Sequence, residues 1–155
     1  MKIIVECYSD EFLIRTMGIP KKIIEHQGGK GKVMARVKYY TQAIGMVDED
    51  PYKSSPKDME NYRKIKSFED TDIYKRNNDD NKTLIVLKPD LEGWLLKRAK
   101  KSRISITKYE IPDNVEWLHR PHICRERNFK DFVKEVVNKD DEAKIITKWI
   151  KEAIS

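Results

Sequence analysis

Cysteine is scarce. Only Cys7 and Cys124 occur in 155 residues, too few for a disulfide framework, so a reducing compartment is the expectation. No apolar run approaches the ~18 residues of a membrane span. The opening Met-Lys-Ile-Ile-Val-Glu turns charged too early for a secretory leader. A cytoplasmic location without a membrane partner is therefore expected. Glycine and proline number six each, which excludes collagen-like and Pro/Gly-rich low-complexity chains. There is no internal repeat and no Walker A loop: Val33 stands where that motif needs Ser or Thr, and His26 where it needs Gly.

Charge is abundant. Charged residues make up 37% of the chain, hydrophobic ones 39%, and the net charge is +6. A chain of this length can bury a core without staples, and its basic excess suits a polyanionic partner. One domain spanning 1–155 is expected, with a core over roughly 1–101 and a helical C-terminal cap over roughly 102–155.

Hydrophobic periodicity divides the chain into elements. Lys2 to Cys7 reads as a first strand. Ser9 suits the N-cap of a helix carrying Phe12, Leu13, Ile14 and Met17, which Gly18 and Pro20 end. Lys22 to His26 reads as a second strand, and Lys32 to Thr41 as a helix. Ala43 to Asp50 is a third strand, stopped by Pro51. The polar stretch from Pro51 to Asn81 reads as a long connection with a short helix near Asp58 to Lys66. Thr83 to Leu87 is a fourth strand. Pro89 suits the first turn of the next helix, whose buried stripe is Leu91, Trp94, Leu95 and Ala99. Two amphipathic helices follow, one through Phe129, Phe132, Val133, Val136 and Val137, the other from Asp140 to Ile154. This order predicts an α/β fold: a mostly parallel sheet flanked by helices, with a helical C-terminal region.

The candidate chemistry lies just past the strand ends, where α/β folds gather their ligands. Glu6 closes the first strand. Asp48 and Asp50 close the third, and their two-residue spacing on an extended chain points both the same way. Asp10 opens the first helix and Glu92 the helix after the fourth strand. Carboxylates brought together repel unless a cation compensates, and a hard divalent ion with oxygen ligands does so.

The pattern Val5-Glu6, then Val47-Asp48-Glu49-Asp50, resembles the TOPRIM domain of topoisomerases, primases and overcoming-lysogenization-defect nucleases. Pro89-Asp90-Leu91-Glu92-Gly93-Trp94-Leu95 is similar to a stretch of small bacterial TOPRIM-like proteins. The likeness covers roughly Met1 to Lys97, about one domain. It implies a Rossmannoid TOPRIM-like core in which Glu6, Asp48 and Asp50 hold Mg²⁺ or Mn²⁺ for phosphodiester chemistry, with Asp10 and Glu92 as further metal-holding acids. It implies a nuclease-like enzyme with a nucleic-acid partner, of a kind used in bacterial defence, with room for a partner ATPase. The family has Gly after the first Glu, whereas this chain has Cys7. Two other readings stand beside the nuclease: a non-catalytic TOPRIM-like module that binds nucleic acid or protein, and a phosphatase or phosphoryl-transfer domain with Asp48 as nucleophile.

Basic residues supply candidate phosphate contacts. Gly28-Gly29-Lys30-Gly31-Lys32 follows a strand and opens a helix, where backbone N–H groups can cradle phosphate; Lys30 and Lys32 are its cations. Lys88 ends the fourth strand. Lys97 to Lys108 holds six basic residues and no acid, so Lys100, Lys101 and Arg103 are candidates to lead a nucleic acid inward. His119, His122 and Cys124 are soft metal ligands that lack a fourth partner for zinc; Arg120, His122 and Arg125 are alternatives for a phosphate path.

Overall fold

A computed structural model describes residues 1–155. Its six-stranded sheet has the order β2-β1-β3-β6-β5-β4. The strands are β1 (Lys2–Val5), β2 (Ile24–His26), β3 (Ala43–Asp48), β4 (Tyr62–Ser67), β5 (Thr71–Arg76) and β6 (Asp79–Leu87). Strands β2, β1, β3 and β6 are mutually parallel, while β5 and β4 continue the sheet antiparallel. The helices are α1 (Tyr8–Thr16), α2 (Lys30–Tyr39), α3 (Leu91–Lys101), a single turn α4 (Val115–Leu118), α5 (Arg127–Lys139) and α6 (Asp141–Ile154).

Alternation along the strands builds two cores. Ile3 and Val5, Ile44 and Met46, Ile85 and Leu87 face one side; Ile4, Ala43 and Val47, Leu84 and Val86 face the other. Both faces are covered, which is why the parallel strands read as nearly continuous apolar runs. On the first side, α1, α3, α5 and α6 contribute to one apolar cluster that includes Trp94, Phe129, Phe132 and Ile146. The C-terminal helices thus share the core of the strands. On the second side α2 packs through Val33, Met34 and Val37. Gly45 permits that close approach: a Cβ there would stand 2.9 Å from both Leu84 Cδ2 and Val37 Cγ2.

The connection expected from Pro51 to Asn81 is instead mostly sheet. A 3₁₀ turn at Lys57–Asn61 replaces the front of the expected helix, and β4 and β5 follow as antiparallel strands. Strand β4 is the sheet edge and only Tyr62 of it is buried. Its Arg63, Lys64 and Lys66 conceal it from an apolar-pattern search and also guard the edge against foreign strands.

The first helix after β1 covers one face and the helix after β2 covers the other, so the chain reverses its direction of winding between β1 and β3. A crevice opens at such a switch point, outside the carboxyl ends of the strands.

Candidate functional site: an acidic cleft at the strand ends

The register Val5↔Met46 and Asp48↔Leu87 brings the ends of β1, β3 and β6 to one edge. Glu6 follows β1 directly, and its Oε2 accepts the Asp48 backbone N–H at 3.3 Å. Asp48 is the last residue of β3, and its Oδ1 accepts the Leu91 N–H at 2.9 Å, at the positive end of α3. Asp50 stands beyond the strand. Its φ is 48°, in the left-handed region, and its N–H bonds the Pro89 carbonyl at 3.0 Å. The extended spacing expected for Asp48 and Asp50 is therefore replaced by a turn, which an Asp side chain tolerates. Both nevertheless line the same cleft.

Two acids enter from helices. Helix α1 begins at Tyr8 with Cys7, not Ser9, as its cap; Asp10 Oδ2 accepts both the Cys7 N–H and its Sγ–H at 3.1 Å. Burial pushes the Cys7 thiol up, which keeps it a donor. Glu92 lies in the first turn of α3, nearly buried, with Oε1 3.0 Å from His119 Nδ1. Pro89 precedes the helix rather than opening it, and Asp90 caps it, Oδ1 accepting the Gly93 N–H at 2.7 Å. A Cβ on Gly93 would meet Asp90 Oδ1 and Pro89 Cδ, both at 3.0 Å. The glycine makes room for the cap and the proline ring.

These carboxylates feel one another. Burial first, then repulsion from Asp10, Glu6, Glu92 and Asp50, raises the Asp48 carboxyl to about 9. Burial raises Asp10 to about 7, against the Cys7 hydrogen bonds, with Glu6 and Glu92 adding repulsion. Glu6 is raised by burial and by Asp50, and Lys30 and Lys53 oppose the shift. None of Glu6, Asp10, Asp48 and Asp50 forms an ion pair, and Glu92 has only His119.

The cleft holds about 750 Å³ and is also lined by Lys30, Lys53, Asp90 and His119. Lys30 Nζ donates to the Glu49 carbonyl at 3.1 Å, at its rim. No three His, Cys, Asp or Glu side chains close on a point as metal ligands do. Each of Glu6, Asp10 and Asp48 instead turns an oxygen onto a protein donor. The donor set is oxygen only, negative, and without a protein cation in contact, which suits a hard divalent ion.

The other candidates fall elsewhere. Lys32 is exposed on α2 and does not line the cleft. Lys88 turns to Asp72 on β5 at 3.1 Å. Lys100, Lys101 and Arg103 line a separate hollow with Glu69 and Asp70. Within the same basic run Arg98 is buried among Asp70, Glu69, Glu142 and Asp140. His119, His122 and Cys124 border a neighbouring cleft and form no metal group. Lys53 is a site residue that sequence reasoning missed, and His119, expected only as a soft metal ligand, stands beside Glu92 instead. Neither carries a local signal: one sits in a polar loop, the other between two prolines. Compared with protein-family models, curated proteins and solved structures, the chain shows no significant match to any of them.

Proposed function

We propose that the protein is a Mg²⁺- or Mn²⁺-dependent phosphodiester-cleaving enzyme, nuclease-like, built on a TOPRIM-like core. One observation carries the reading: acids from four separate elements meet at the switch point of a parallel sheet, the Glu6, Asp10 and Asp48 carboxyls are raised there, and no lysine or arginine pairs with any of them. Such an arrangement is costly to the fold and finds its counterpart in a bound cation. Glu6, Asp48 and Asp50 would hold the ion, with Asp10 and Glu92 beside them. A bound divalent ion polarises a phosphoryl oxygen and lowers the pKa of water.

The chain's own groups complete the chemistry. Lys30 and Lys53 flank the acids and meet the charge of a phosphate at the rim. Glu92 holds the His119 Nδ1 edge, which leaves Nε2 free for a proton at the cleft. The orientation of an imidazole by a buried carboxylate is the arrangement general bases use.

Calorimetry with Mn²⁺ tests the proposal. The intact chain should bind the ion, and Asp48→Asn should bind at least ~10-fold more weakly, the scale of losing a metal-shell group. Equal binding by the two proteins overturns it.

A further inference from the structure

A second cleft of about 700 Å³ adjoins the acidic one and shares Cys7, Glu92 and His119 with it. Its walls are α1, the segment around Leu118 to Arg125, and α5. Its charge is opposite in sign. Arg15, Arg120, Arg125, Lys130 and Lys134 line it, against the acids Glu11 and Glu92. Of the five cations only Arg120 has a carboxylate partner, Glu126 at 2.8 Å. In the Lys97 to Lys108 run, by contrast, Lys97, Arg98, Lys101 and Lys108 are each paired with acids.

We infer that this second cleft is the seat of a single nucleic-acid strand, which it delivers to the acidic cleft across the Cys7, Glu92 and His119 border. The inference rests on the phosphodiester reading above for its destination, though not for the binding itself. Unpaired arginine and lysine side chains along a groove are what a phosphate backbone requires. Phe12, half-buried, stands between the cations on the same wall, over the buried Leu118 and Ile123. Tyr8, 60% exposed, stacks on His26 with ring centroids 4.4 Å apart and offers an aromatic surface at the margin. Base faces rest on such surfaces when a strand is unpaired. A duplex keeps its base faces hidden and offers only its backbone, so the Tyr8 and Phe12 rings would go unused.

Fluorescence anisotropy of a labelled oligo(dT) and oligo(U), in EDTA, tests this without cleavage or metal. The triple variant Arg15→Gln, Arg125→Gln and Lys130→Gln should bind at least one of them at least ~10-fold more weakly. Its salt slope should fall by about 2, three contacts at ~0.7 each. The control Lys100→Gln with Arg103→Gln should remain within about twofold of the parent. Lys134→Gln alone, on the exposed side of α5, should flatten the slope by about 0.7 and covers the case in which the triple variant fails to fold. Asp48→Asn should bind the strand as the parent does, so equal Mn²⁺ binding by the parent and Asp48→Asn, with groove binding intact, sinks the phosphodiester reading alone. An unchanged slope in the groove variants, tighter binding of duplex than of either strand, or equal displacement by polyglutamate overturns the inference.

Discussion

Two clusters of buried acids lie in this molecule, and they are resolved in opposite ways. Around Arg98 the acids have a cation built in. Its Nη2 lies 2.8 Å from Asp70 Oδ2 and 3.2 Å from Glu69 Oε1, and its Nη1 lies 3.5 Å from Glu142 Oε1. Glu142 also accepts the Thr71 hydroxyl at 2.8 Å, and that hydroxyl accepts the Trp94 indole N–H at 2.8 Å. Asp140 caps α6 through the Ala143 N–H at 2.8 Å. The cluster therefore ties β5, α3 and α6 into one unit. At the strand ends the acids have only backbone donors, one thiol and one histidine. The lesson is that a count of carboxylates does not separate structure from function. What distinguishes the two clusters is the presence or absence of a paired arginine.

The largest effect expected from breaking this contrast is at Arg98. Arg98→Met keeps the stem and removes the charge, leaving Glu142 and Asp140 buried without a cation and Asp70 with only Lys97 at 3.5 Å. Breaking a buried pair from one side costs about 3–5 kcal/mol, and urea unfolding should show that loss. Asp48→Asn removes a carboxyl that burial and neighbouring acids disfavour in its charged form and that no lysine or arginine pairs with. In EDTA it should leave stability unchanged or raise it. If Arg98→Met melts like the parent, the two clusters do not differ in the way described.

A divalent ion should sharpen the contrast next. At a concentration 100 times its dissociation constant, a ligand of the folded state alone adds about 2.7 kcal/mol. Mn²⁺ should raise the melting temperature of the parent and of Lys100→Gln, and that of Asp48→Asn by about half as much or less. A rise of the same size in Asp48→Asn places the ion elsewhere.

Protons offer a third and smaller lever. Asp48 stands at about 9 in the folded chain against an ordinary 3.8, and Asp10 at about 7. A carboxyl whose folded pKa is raised binds protons more tightly when folded, so stability in EDTA should fall as pH rises from about 4 toward 9. Glu135 works the other way. Lys108, Lys139 and Tyr109 hold it at about 2, against 4.5. Its contribution is present above 4.5 and is lost as pH falls through 2. Melting temperatures between pH 5 and 9 should therefore decline in EDTA and flatten with Mn²⁺. A rise across that window contradicts the assignment of Asp48.

Much of this contrast can be read from the chain, though unevenly. Glu6, Asp48 and Glu92 are legible because each follows an apolar strand that alternates between two covered faces. Their convergence needs only that neighbouring parallel strands end together. Arg98 is not legible. It sits among five other basic residues, and its partners lie 28 and 44 positions away, at Asp70 and Glu142. No local rule links a basic run to acids that far along the chain. Strands β4 and β5 escape for a related reason. Tyr62 is the one buried residue of β4, so an edge strand armed with lysine and arginine carries no alternating signal. His119 belongs to a stretch interrupted by prolines, and only tertiary packing brings it to Glu92.

The smallest effect on stability, and the finest test of the contrast, is at Glu92. A first-turn acid is favoured by the helix dipole by about 0.3–1 kcal/mol, which alone explains an exposed Glu. Glu92 is only 7% exposed, however, and it repels Asp10 and Asp48. The dipole benefit and the repulsion oppose each other. Glu92→Gln keeps the shape, and its amide oxygen can still accept from His119 Nδ1 at the observed 3.0 Å. In EDTA the melting temperature should therefore move little. With Mn²⁺ the two proteins should part: the Gln variant loses a negative group beside the ion, and binding or cleavage should weaken at least ~10-fold. His119→Gln separates the two roles of Glu92. It should leave Mn²⁺ affinity within about threefold while lowering cleavage by ~10²-fold or more, the low end of a general-base contribution. If Glu92→Gln binds Mn²⁺ and cleaves like the parent, Glu92 is a helix-start acid, and the unpaired cluster shrinks to the carboxylates on β1, β3 and α1.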